Sequence, residues 1–446
     1  MNVPLRDISG HPADDHDDTT PVLTPAEAER WPDVAQPPRG RSAAIRSAAA
    51  ARLFRHALRG VDVRVEFPDG KVVGHHGDRV LPRMIVRHPE DFARRIGAGG
   101  LIGFGESYMA GDWTTDDLVG VLTPFATRVA RLVPRPLQAL RHVALPKHPS
   151  SEDNSTSNTR RNIARHYDLS NDLFAVFLDE TMTYSSALFA DLQPGTRAPW
   201  SDLADAQRRK VDRLLDAAGV GPGTRLLEIG TGWGELCLRA AARGATVRSV
   251  TLSSEQQTLA RERVAQAGFA DRVQIDLCDY RQVEGTYDAV VSVEMIEAVG
   301  EKYWPVYFQT IDRVLAPGGR VAIQAITMPH DRMVASRSTY TWVHKYIFPG
   351  GQLTSLKALD AVTRRRTSLR MTERRAMGAH YAETLRLWRE RFTARRDDVA
   401  ALGFDNTFRR MWEFYLAYSE AGFRAGYLDV HQLVFTRDDL EDGDRR

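Results

Sequence analysis

The segment Leu227-Glu228-Ile229-Gly230-Thr231-Gly232-Trp233-Gly234-Glu235-Leu236 constrains the fold more than any other part of the sequence. A mostly apolar run from Arg225 to Ile229 leads into glycines spaced for a sharp strand-to-helix turn. Lacking Cβ atoms, such a turn lets backbone N–H groups and a helix N-terminus approach a polar or anionic ligand. The spacing is Gly-x-Gly-x-Gly, not the Gly-x-Gly-x-x-Gly of dinucleotide binders. Glu228 before the first glycine, with no Gly-Lys-Ser/Thr after the turn, argues against a phosphate-cradling P-loop.

Two readings survive: a glycine-rich turn in some other α/β domain, or the first βα turn of an S-adenosylmethionine (SAM) methyltransferase. In the second, Glu228, Gly230 and Gly232 lie against the cofactor. Strands are predicted over Arg225–Ile229, Thr246–Leu252, Val273–Leu277, Tyr287–Val293 and Gly319–Ile326, with helices over Leu236–Arg243, Ser254–Ala267 and Trp304–Leu315. That alternation predicts a doubly wound, Rossmann-like α/β sheet whose ligands sit at the carboxyl ends of the strands. Thr251, Leu252 and Gln256 fall at one such end, where ribose hydroxyls are often met, although Ser253 or Ser254 also reads as a plain helix cap. Asp279 and Tyr280 fall at the next, where a carboxylate could meet an adenine amino group.

Residues 1–42 hold scattered prolines and the acidic run Asp14–Asp18, and read as a disordered or loosely attached leader. Residues 43–148 read as a small α+β domain, with a helix to Arg59, a hairpin through Val63–Val73, and helices over Pro89–Ile96 and Asp116–Val133. Its last stretch, 128–148, carries five basic and no acidic residues among leucines and valines, so it suits an anionic lipid surface or an ordinary basic linker. A polar linker, 149–159, precedes the methyltransferase domain, 160–437, and a polar tail, 438–446. The net charge of +2 selects no partner. Two cysteines, Cys237 and Cys278, cannot build a disulfide framework and read as core residues of a cytoplasmic protein, not as a redox or metal pair. No signal peptide and no membrane-spanning run are expected. No recognition helix or Asn-Pro-Pro-Tyr-type motif points to nucleic acid.

Upstream of the glycine turn stand His166-Tyr167-Asp168-Leu169-Ser170-Asn171-Asp172-Leu173-Phe174 and Met182-Thr183-Tyr184-Ser185-Ser186-Ala187. Downstream come Val291–Glu297, Lys345-Tyr346-Ile347-Phe348-Pro349-Gly350-Gly351, and Gln432–Phe435. In these motifs, and in Leu101–Trp113, the chain resembles the cyclopropane-fatty-acyl-phospholipid synthase and mycolic acid methyltransferase family. The resemblance covers nearly everything after the leader. It implies SAM as cofactor, with Tyr167, Tyr184 and Ser185 among its contacts, and an unsaturated phospholipid acyl chain as acceptor at the inner face of the membrane. A homodimer is a further expectation, as is a downstream reductase.

In that family a cis alkene takes the methyl group and becomes a carbocation. Water must be excluded, aromatic faces can stabilise the cation, and a base, attributed to bound bicarbonate, removes a proton. Tyr167, Phe174, Tyr184, Tyr346, Phe348 and Tyr381 are the aromatic candidates, each also an ordinary core residue. Of the family's bicarbonate ligands, the glutamate matches Glu297 and the tyrosine Tyr381. The cysteine is replaced by Ser186 and the histidine by Gln324, which cannot take up charge. A further family cysteine is Ser419. Two additional carboxylates, Glu235 and Glu294, stand where the family has glycine, or glycine or alanine. Either could replace bicarbonate as the base or compensate charge. The altered base site predicts that the proton leaves from a different carbon, giving a methylene branch instead of a cyclopropane ring, with Glu235 the first departure to mutate. A small-molecule methyltransferase and a catalytically altered SAM- and lipid-binding partner protein are the alternative readings.

Overall fold

The computed structural model describes residues 23–74, 80–128, 170–193 and 195–438. The segment 129–169, which holds most of the basic stretch, the 149–159 linker and Tyr167, lies outside the described residues, as does the tail from 439.

The alternating Val63, Val65 and Phe67 give the expected hairpin, β1 (Arg64–Glu66) against β2 (Val72–Val73). Two strands not anticipated, β3 (Arg83–Val86) and β4 (Trp113–Thr114), extend it to a four-stranded sheet of order β2-β1-β3-β4. Helices Arg41–Leu58, Pro89–Gly99, Leu101–Met109 and Leu118–Arg128 accompany it.

Residues 23–42 depart from the loose leader expected for 1–42. Pro25 and Pro32 each open a short helix, Pro25–Arg30 and Pro32–Ala35, the first closed by a Thr24/Glu27 capping box. Prolines that read as breakers are here first-turn residues, where the missing N–H costs nothing. The second helix buries Val34, whose carbonyl accepts from Arg95 Nη2 at 2.5 Å, and Trp31 Nε1 donates to Asp405 at 2.9 Å.

The second sheet holds seven strands: β5 (Arg225–Ile229), β6 (Thr246–Thr251), β7 (Val273–Leu277), β8 (Tyr287–Val293), β9 (Leu315–Thr327), β10 (Leu369–Ala376) and β11 (Asp429–Arg437), in the order β10-β11-β9-β8-β5-β6-β7. The run from β9 to β7 is parallel, as predicted. The two C-terminal strands add antiparallel pairs to its edge. β10 hid because an edge strand tolerates charge: Arg370, Glu373, Arg374 and Arg375 lie along it.

One apolar core joins the two sheets. It runs from Leu58, Val65, Met84 and Trp113 to Phe174, Phe177, Trp388 and Trp412. The Leu101–Trp113 stretch docks on helix Asn406–Arg424, with Tyr108 5.5 Å ring to ring from Phe414 and Arg410 Nε donating to the Tyr108 carbonyl. Among the described residues no helix is long and apolar enough to cross a membrane, and no group of side chains has metal-ligating geometry.

Candidate active site

β5 ends in three glycines with left-handed backbone, Gly230 (φ +98°), Gly232 (φ +52°) and Gly234 (φ +90°), and helix Glu235–Ala242 follows. A Cβ on Gly230 would lie 2.4 Å from Met295 Cγ, whereas one on Gly232 would meet no protein atom within 4 Å. Gly232 faces the cleft, so the open space beside it is where a ligand can touch backbone. Tyr184, Ser185, Glu228, Gly230, Gly232, Thr251, Leu252, Gln256 and Tyr280 all line this cleft. Nine of the residues read as cofactor contacts therefore converge at the carboxyl ends of β5, β6 and β7.

Asp279 does not. Arg281, two residues on, folds back and takes both its carboxylate oxygens, at 2.8 and 2.5 Å, leaving it turned from the cleft. Ser253 caps its helix through the Gln256 N–H, and Thr251 Oγ1 donates to Gln256 Oε1 at 3.1 Å.

Beneath the glycines, buried Glu228 Oε2 accepts from Ser249 Oγ at 2.6 Å and Cys237 Sγ at 2.9 Å, and burial pushes its carboxyl up to about 7. Both cysteines are free thiols. Lys210, which sequence reasoning missed, also reaches the cleft. It is fully buried, donates to Ser185 Oγ at 2.5 Å, and is depressed to about 8 by burial. A signal was available. Leu203, Ala206, Gln207, Lys210, Val211 and Leu214 form one buried stripe at helical spacing, so Gln207 and Lys210 are polar residues on an apolar face.

The candidate catalytic residues gather round Glu294. It follows β8 with a left-handed backbone, φ +50°, and lines the cleft. Its Oε1 accepts from the Ser186 N–H at 3.0 Å and from Gln324 Nε2 at 2.8 Å, and its Oε2 accepts from the Tyr381 hydroxyl at 2.7 Å. Burial raises its carboxyl above the ordinary glutamate range, against the pull of these donors and of Lys210. Gln324 is fixed in turn, its Oε1 accepting from Gln432 Nε2, which also reaches the Lys210 carbonyl. Nearby, the Tyr184 and Tyr415 hydroxyls lie 2.7 Å apart.

Glu297 is close but separate. One carboxylate oxygen accepts from the Ile326 N–H; the other is buried without a partner, and burial, reinforced by the Glu294 charge, pushes the group up to about 8. Glu235 lines the cleft, yet Arg263 holds it at 3.1 Å and Arg239 at 4.0 Å. Ser419 lies one helical turn beyond Tyr415, half-buried, and takes no part in the Glu294 hydrogen bonds. Ser186, Gln324 and Tyr381 are thus brought together, but round Glu294 instead of Glu235.

An aromatic wall adjoins the carboxylates. Tyr184 packs on Phe174 at 5.1 Å and Trp388 at 5.3 Å, Tyr381 on Phe423 at 4.6 Å, and Phe348 on Tyr415 at 5.8 Å. Tyr346 is committed elsewhere: its hydroxyl donates to Glu106 at 2.8 Å, tying the two sheets' layers together.

Residues 154–433 match the family model described as mycolic acid cyclopropane synthetase. A tuberculostearic acid methyltransferase of Mycobacterium tuberculosis is 59% identical over 412 residues, covering 92% of this chain and 96% of that one. A cyclopropane-fatty-acyl-phospholipid synthase of Escherichia coli is 34% identical over 363 residues, covering 79% and 87%. A crystal structure of a mycolic acid cyclopropane synthase complexed with SAH and CTAB superposes with a TM-score of 0.56 at 29% identity, covering 62% of this chain and 97% of that chain.

Proposed function

The chain belongs to the mycolic acid cyclopropane synthetase family, SAM-dependent enzymes that methylate carbon on unsaturated fatty acyl chains, and we propose that its own product is a methylene-branched acyl chain. One observation carries this reading: the Ser186 N–H, Gln324 amide and Tyr381 hydroxyl all converge on the side chain of Glu294. All three of those positions are ones through which the family is expected to hold bicarbonate. Here they are spent on a carboxylate that belongs to the protein, so Glu294 replaces bicarbonate as the base.

Gly230–Gly232, Thr251 and Gln256 would hold SAM, which would supply an electrophilic methyl group. The alkene's electron pair would form the new carbon–carbon bond as the S–CH3 bond breaks and its pair stays on the departing thioether sulfur, leaving a cation on the neighbouring carbon of the acyl chain. The aromatic wall of Phe174, Tyr184 and Trp388 keeps water away and offers ring faces to that cation. A hydride shift moves the cation to the methyl-bearing carbon. Glu294 then takes a proton from the methyl group, and the C–H pair becomes the C=CH2 double bond of the methylene branch. Glu297, held protonated by burial, leaves Glu294 as the ionised member of the two carboxyls. The 59%-identical relative, a fatty acid methyltransferase by name, agrees with a branched product. Conversion of the methylene to a methyl branch requires a separate reductase that delivers a hydride and a proton. The acceptor is a phospholipid-bound chain, met at the cytoplasmic face of a membrane.

The two products have the same mass, so NMR of lipids from a host expressing the chain is the deciding measurement. Olefinic protons of a =CH2 branch are expected; upfield cyclopropane protons in their place would sink the reading.

A further inference from the structure

We propose that the outer face of helix Arg41–Leu58 is the surface that seats this enzyme on anionic phospholipid headgroups. The proposal rests on the lipid-acceptor reading above and adds to it the part of the fold that meets the bilayer. Along the helix, Ala43, Ala50, Phe54 and Leu58 face inward, the last fully buried. Arg41, Ile45, Ala48, Arg52, Arg55 and Arg59 recur at spacings of three and four residues, which places them on the opposite side of the same helix. All four arginines are exposed, and Ile45 among them is 73% exposed.

Among the described residues the charge on this face is uncompensated. No acidic residue occurs between Asp33 and Asp62, while arginines stand at 39, 41, 46, 52, 55 and 59. Among the described residues none of these six takes part in an ion pair or side-chain hydrogen bond. Elsewhere Arg225 pairs with Asp288, Arg364 with Asp360 and Arg395 with Asp398, while Arg365, Arg366, Arg374 and Arg375 are exposed without an ion pair among the described residues. A row of arginines round an exposed isoleucine, on a helix with no acidic residue, is complementary to a layer of phosphates over hydrocarbon. Guanidinium groups reach the phosphates while their methylene stems and Ile45 enter the acyl boundary. The helix belongs to the small domain whose core is continuous with the aromatic wall, so docking here brings the catalytic cleft to the source of its acceptor.

The test is co-sedimentation of the full chain with vesicles of phosphatidylglycerol or phosphatidylcholine at several salt concentrations. Salt-sensitive binding to phosphatidylglycerol is expected, weakened more than tenfold by R41E/R52E/R55E/R59E, since each basic residue near an anionic surface contributes about fivefold. Should charge reversal unfold the helix, the four Arg→Gln changes serve the same purpose, with melting temperature as the folding control. Undiminished binding by the variants, equal binding to both vesicle types, or tighter binding to an RNA than to phosphatidylglycerol would overturn the proposal. Methyl transfer to a detergent-dispersed oleoyl phospholipid is read in parallel. Wild-type protein that binds vesicles but transfers no methyl group contradicts the catalytic reading alone.

Discussion

The Tyr381 hydroxyl donates to Glu294 Oε2 at 2.7 Å, and it does so across a backbone held at φ +50°. A non-glycine residue in that region costs on the order of 1 kcal/mol or more and persists where surrounding contacts over-determine it. A glycine at this position would fit the backbone without strain; the glutamate is there for its side chain. Replacing Glu294 by Gln removes the base while leaving a similar shape, and activity should fall by about 100- to 10,000-fold. Glu294→Gly frees the Ser186, Gln324 and Tyr381 donors, and added bicarbonate should then restore part of the activity. Methyl incorporation from labelled SAM into oleoyl phospholipid checks both, with SAM affinity as the control.

The pH dependence follows from the same carboxyls. Glu294 must be ionised to act, and burial raises it, so the acid limb of activity should lie above the ordinary glutamate value. For stability the sign runs the other way. Glu297, at about 8 in the fold, and Glu228, at about 7, hold protons that the unfolded chain has released above its usual value of 4.5. Their stabilisation is complete below that value and is lost as pH rises through the folded one. Each gives a slope of up to about 1.4 kcal/mol per pH unit in between. Urea unfolding between about pH 5 and about 8 should show stability falling with pH, and Glu297→Gln should flatten the fall.

Lys210 supplies the positive charge behind both sites. Its ammonium pulls Glu228 and Glu294 down, though less than burial pushes them up. Lys210→Met should therefore raise both carboxyls further and move the acid limb of activity to higher pH. A role confined to packing would lower the melting temperature and leave that limb in place, so pH–rate profiles of wild type and variant separate the two.

The parallel core of the methyltransferase sheet was legible because buried strands read as apolar runs and the glycine turn fixed where they begin. β5, β7 and β8 fall on the predicted residues. Seven of the nine cleft residues were legible for the same reason, since strand ends define the site, while Tyr184 and Ser185 were legible only through the family resemblance. What escaped was set by side-chain contacts that residue spacing does not show. Asp279 looked free until Arg281 folded onto it, and Glu235 looked like a base until Arg263, on the next helix, paired with it. Lys210 escaped because a lysine reads as surface unless its helical stripe is followed.

The contact between Gly105 and Trp342 tests whether the small domain is needed by the cleft. A Cβ on Gly105 would lie 2.5 Å from Trp342 Cδ1, closer than packed atoms approach, so Gly105→Ala must displace the indole. Trp342 packs on Phe414 at 4.9 Å, and its helix carries Lys345 and Tyr346 to Glu106. Overpacking of this kind costs about 1–3 kcal/mol. It should loosen the junction between the small domain and helix Asn406–Arg424, the helix that presents Tyr415 to Tyr184. The expected result is a lower melting temperature, faster proteolysis at the junction, and reduced turnover with SAM affinity nearly unchanged, since the glycine turn lies on the other sheet. Gly105→Ala with wild-type turnover would show that the cleft is shaped without the small domain.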